Sequence, residues 1–154
     1  MVARIQNLYL FLAGLLAVAG MFFPFWSFSA GQLFFISDFS ASAIAEIRYS
    51  IACYTGSVFS PLTAIVSIAS IFLYKNRALQ TRLIQLGALF FLGDLLSALT
   101  AAHFMNQYFL GIGTVPAHRP EAGFFMLLPE PVLFWMALQG VKKDDKIANA
   151  YKRL

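Results

Sequence analysis

The sequence predicts an all-α fold, a four-helix transmembrane bundle with both termini inside and a small extracytoplasmic cap. Three observations predict it. Of 154 residues, 60% are hydrophobic and only 12% charged, about half the charged share of a soluble domain. Four apolar stretches recur, each near the roughly 20 residues that a helix needs to cross a hydrocarbon core. The basic residues cluster in alternate connectors, the pattern that encodes membrane topology.

The first expected span covers residues 8–26 and ends on Pro24 and an interfacial Trp26. Arg4, the apolar run and Ala17-Val18-Ala19 imitate a cleavable secretory signal. The run continues through Met21-Phe22-Phe23, so it is read as an uncleaved first span. The second span covers 51–74 and contains Pro61. The third covers 83–105 and carries Asp94 inside it. The fourth, 124–141, is interrupted by Pro129-Glu130-Pro131, where missing backbone donors make a kink the expected outcome. Together these make one integral membrane domain.

Between spans two and three, residues 75–82 form a short polar hairpin, which makes those helices antiparallel neighbours. The longer connector 27–50 alternates around Gly31, as a small β-hairpin does, and its second part, from 41 to 49, has helical composition. Residues 106–123, with Gly111, Gly113, Pro116 and Pro120, read as an irregular outer loop. With the N-terminus inside, nine basic residues face the cytoplasm (Arg4, Lys75, Arg77, Arg82, Lys142, Lys143, Lys146, Lys152, Arg153) against two outside, Arg48 and Arg119. The net charge of +4 therefore encodes topology, and nucleic-acid binding is not expected.

Asp94 is the sharpest chemical feature, because a carboxylate at mid-span costs about 2.5–3.5 kcal/mol on insertion scales. It would serve either as a proton or ion relay or as a hydrogen-bonded joint between helices. Its helical neighbours complete no relay, so the joint is the favoured reading. Glu130, between two prolines, marks either a broken helix at an ion site or the acidic start of a helix. Gly56, Ser60, Thr63, Ser67 and Ser70 fall on one stripe of the second span and predict a helix-packing seam. Lys142, Lys143, Ile147, Tyr151 and Leu154, in the amphipathic tail 142–154, are candidates for docking a partner or anionic lipid. His103 is a weak candidate for binding haem or pigment. The lone Cys53 reads as a small apolar helix residue. No nucleophile–base pair, metal-ligand cluster or phosphate loop is visible, so no catalytic residue, cofactor or metal is expected.

Arg4-Ile5-Gln6-Asn7-Leu8-Tyr9-Leu10 resembles the opening of a bacterial four-pass membrane family, domain of unknown function 4293. Leu128-Pro129 and the close Val141-Lys142-Lys143-Asp144-Asp145-Lys146 resemble that family's later motifs, although Glu130 stands where an apolar residue is expected. The resemblance implies four passes in a bacterial inner membrane and supplies no mechanism. The function expected from the residues is a non-enzymatic accessory, assembly or scaffolding subunit, partnered by other integral membrane proteins and lipid. The alternatives are a small transporter or proton conductor using Asp94 and Glu130, and a haem- or pigment-binding subunit. A homo-oligomer is a further expected arrangement.

Overall fold

A computed structural model describes residues 5–39 and 44–151. Four long helices run through it: α1 (Ile5–Phe22), α2 (Ile47–Phe72), α3 (Arg77–Gly111), and a last one broken into α4 (Ala122–Leu127) and α5 (Glu130–Tyr151). Each span is long and apolar enough to cross a membrane, so the chain is a multi-pass membrane protein. The outer surface differs from that of a soluble bundle in being apolar, and polar side chains share the interior with apolar ones. Leu8, Phe11 and Leu15 of α1, Val58 and Ile65 of α2, and Leu89 and Leu92 of α3 face outward, whereas Ser60, Thr63, Ser67, Ser70, Gln80, Asp94 and Glu130 are buried. Lipid solvates the apolar shell, and polar side chains are kept from it inside the bundle.

Local chemistry sets the ends. Asn76 caps α3, its Oδ1 accepting the Leu79 N–H at 3.1 Å. Gly113, at φ +76°, closes α3: its own N–H donates to the Leu110 carbonyl and that of Thr114 to the Phe109 carbonyl, the two bonds of a Schellman cap. At about 1.5 Å per residue α3 is roughly 50 Å long, so it extends beyond the hydrocarbon core at one or both ends. In α2, Pro61 is absorbed without ending the helix. The last span breaks at Leu128-Pro129, yet Leu128 keeps helical angles and the Leu133 N–H reaches the Pro129 carbonyl at 3.1 Å. Pro131 falls in the first turn of α5, where its missing donor costs nothing.

Opposite the termini, a three-stranded antiparallel sheet closes the bundle. β1 (Trp26–Ser29) and β2 (Leu33–Ile36) form a hairpin through Gly31 at φ +78°. β3 (Ala117–Pro120) pairs with the other edge of β1. This corrects the expectation of an irregular loop over 106–123: α3 persists to Gly111 and β3 follows. Pro120 is tolerated because β3 is an edge strand and Pro120 ends it. The expected helix over 41–49 begins only at Ile47, and residues 40–43 lie outside those described.

Glu121, just past β3, fastens the sheet. Its Oε1 accepts from Ser27 Oγ at 2.6 Å and from Arg119 Nε at 2.9 Å. These donors, Ser27 first, hold its carboxyl below the ordinary value of 4.5. A lowered carboxyl adds stability above its ordinary value and loses it as pH falls through the lowered one. Acid should therefore loosen the cap below pH 4.5. Glu121→Gln should flatten that acid limb, read by the fluorescence of Trp26, which packs on His118 and Phe124.

Candidate functional site

Beneath the sheet, two acidic side chains from different segments meet in the bundle, and a third is buried within reach of the charge of one of them. Asp94, on the middle of α3, is 5% exposed and accepts a 2.8 Å hydrogen bond from Ser60 Oγ of α2. Asp38, in the turn after β2, lines the same small cavity as Ser60 and Asp94. One oxygen of each carboxyl lies within 4 Å of the point where a Cβ on Gly56 would sit, Asp94 Oδ1 at 3.5 Å and Asp38 Oδ1 at 3.8 Å. Both acids therefore lie against the same turn of α2, at ordinary van der Waals distance from that point. Glu130, in the first turn of α5, is fully buried and close enough for the Asp94 charge to act on it. Neither of its oxygens has a hydrogen-bond partner among the described residues.

Ser60 differs from its neighbours on the stripe. Thr63, Ser67 and Ser70 each donate to the carbonyl four residues back, the usual resting place for a hydroxyl in a helix. Ser60 instead gives its single proton to Asp94. A hydroxyl has one proton and two lone pairs. With both carboxyls ionised, Asp38 and Asp94 compete for that one proton; only a protonated Asp38 donates to Ser60 Oγ in return. Burial pushes the Asp38 carboxyl above its ordinary range, with the Ser60 contact pulling partly back, which favours that protonated form.

A cavity of about 20 Å³ adjoins Asp38, Ser60 and Asp94, walled by Ala17, Phe25 and Leu127. One water needs about 10–15 Å³, so the space fits a water and excludes an organic solute. Among the described residues, no three His, Cys, Asp or Glu side chains are grouped to hold a metal ion. The arrangement's available chemistry is proton exchange between carboxyls and a hydroxyl.

The structure brings Asp94, Gly56 and Ser60 together, with Glu130 buried within reach of the Asp94 charge, and it buries Thr63, Ser67 and Ser70 along α2. Ser67 and Ala64 meet Gly14 of α1, and Gln80 donates to the Ser70 carbonyl at 3.0 Å. His103 is exposed on α3 beside Phe104. Lys142, Lys143 and Ile147 are exposed on the continuous helix α5. The Tyr151 side chain and Leu154 lie outside the described residues. Sequence reading missed Asp38, because an acid in a polar loop carries no signal until the hairpin folds it inward.

No curated protein and no solved structure matches this sequence. A family model, described as a domain of unknown function, DUF4293, matches residues 2–154. Since that match spans nearly the whole chain, the protein belongs to the domain of unknown function 4293 family.

Proposed function

We propose that this chain handles protons in a bacterial inner membrane, as a small transporter or proton conductor, with both termini in the cytoplasm. The observation that carries the reading is the meeting of Asp38 and Asp94 at one hydroxyl and a water-sized cavity, with Glu130 buried within reach of the Asp94 charge. Intramembrane carboxyls are costly and commonly mark proton relays. Protonated Asp38 donates its proton to Ser60 Oγ while Ser60 passes its own to the Asp94 carboxylate. The net change is one proton moved from Asp38 to Asp94, with the hydroxyl restored. Glu130 is the next acceptor. The orientation is supported by six basic residues at the terminal end against two on the sheet side, among the described residues. Asp38 would then take protons from the outer face.

A second reading, a non-enzymatic accessory subunit of a membrane complex, is supported by α5. It stays helical past Val141 and carries Ile147, 49% exposed, among charged residues. Such a face suits a partner helix or the lipid surface.

Purified protein in liposomes with an imposed pH gradient separates the two. The proton reading expects faster collapse of the gradient than in empty liposomes. Asp94→Asn and Glu130→Gln should return the rate to that of empty liposomes, and Ser60→Thr, which keeps the hydroxyl, should preserve it. A wild-type rate equal to empty liposomes would reject the proton reading and move the weight to the accessory one.

A further inference from the structure

At the opposite end of the bundle from the sheet, a cleft of about 540 Å³ opens between the start of α3 and the end of α5. Arg77 and Arg82 line it from α3, Lys142 and Lys146 from α5, with Asp145 the one acidic group in the lining. Arg77 approaches Asp145 at 3.8 Å. Among the described residues Arg82, Lys142 and Lys146 make no ion pair. Lys142 and Lys146 are one turn apart, a repulsive i,i+4 pair. Arg77 opens a helix with no acid in its first turn, where the positive end of the helix dipole disfavours cations. An anion in the cleft relieves both repulsions.

We propose that this cleft binds the phosphate headgroup of an anionic phospholipid. The level of the cations selects a lipid over free phosphate. The apolar run of α3 starts one residue after Arg82, at Leu83, and that of α5 ends one residue before Lys142, at Val141. Four residues beyond Arg82, on the same helical face, stands Leu86, and Leu89 follows; these two and Trp135 of α5 are outward-facing. A headgroup between the helices therefore leaves its acyl chains lying on apolar surface. Basic pockets of this kind, between helices at the headgroup level, hold phosphate-bearing lipids elsewhere.

Native mass spectrometry of the purified chain, after exchange into equal amounts of phosphatidylglycerol and phosphatidylcholine, tests it. Phosphatidylglycerol should be retained preferentially. Arg82→Gln and Lys142→Gln should each lower its retention about fivefold, and Asp145→Asn should raise it. Lys75→Gln, an exposed charge that does not line the cleft, should leave it unchanged. Equal retention of the two lipids would overturn the proposal. An equal loss in Lys75→Gln would do so too, since net charge would then explain the binding. Displacement by inorganic phosphate as effective as by short-chain phosphatidylglycerol would assign the cleft to free phosphate and overturn the lipid.

Discussion

Glu130→Leu is expected to make the bundle more stable and to stop proton movement. Two effects oppose each other at this position. An acid in the first turn of α5 gains about 0.3–1 kcal/mol from the helix dipole. A buried polar group without partners costs about 1–3 kcal/mol, and both Glu130 oxygens are in that state among the described residues. The second effect is larger, so leucine, similar in volume and fully apolar, should add about 1–2 kcal/mol net. Thermal unfolding in detergent, followed by circular dichroism, reads the gain; the liposome assay reads the loss of flux. A residue kept at a cost in stability is the mark of function. Earlier unfolding of Glu130→Leu would show instead that the carboxyl anchors the helix break.

Gly123→Ala should be among the most damaging single-methyl changes in the chain. A Cβ there would sit 2.7 Å from the Phe23 carbonyl oxygen and 2.8 Å from that of Pro24. Both are backbone atoms of the turn between α1 and β1 and cannot rotate aside as a side chain can. The Gly123 N–H also donates to the Pro24 oxygen at 2.9 Å, and Phe25 stacks edge-on against Phe124 with centroids 5.5 Å apart. Pushing α4 away breaks both, so a loss near the top of the 1–3 kcal/mol range of about that size for overpacking is expected. Gly56→Ala supplies the contrast. Its nearest neighbour is 3.5 Å away, an ordinary contact, and mid-helix alanine gains up to about 1 kcal/mol over glycine. Stability near wild type is expected there, measured by the same melts. Equal damage at 56 and 123 would mean that helix spacing, rather than the turn, sets the tolerance.

The difference between those glycines shows how far the sequence could be read. Gly56 stood out because it begins a stripe with Ser60, Thr63, Ser67 and Ser70, and helical spacing alone puts them on one face. Gly123 gave no such signal, since its constraint is a carbonyl about a hundred residues earlier in the chain. The spans were legible because a bilayer imposes length and hydropathy on them. Asp94 and Glu130 were legible because ionisable groups are conspicuous in apolar runs. Asp38 was not: Ser37-Asp38-Phe39 reads as any turn, and its role comes from β2 carrying it under the cap. The hairpin around Gly31 could be anticipated from alternation. β3 could not, because Ala117-His118-Arg119-Pro120 has little strand propensity and takes its form from the open edge of β1. Local pattern thus reveals what the lipid demands, and the long-range pairings that assemble the carboxyl cluster stay hidden.

Whether Asp38 and Asp94 work as one relay is measured most directly by proton flux through four chains in the same liposomes: wild type, Asp38→Asn, Asp94→Asn, and the double variant. Groups acting in series through Ser60 are strongly non-additive. The account predicts that either single substitution stops the flux and that the double is no worse than the more damaged single. Partial losses that multiply in the double variant would mean independent groups and contradict the relay.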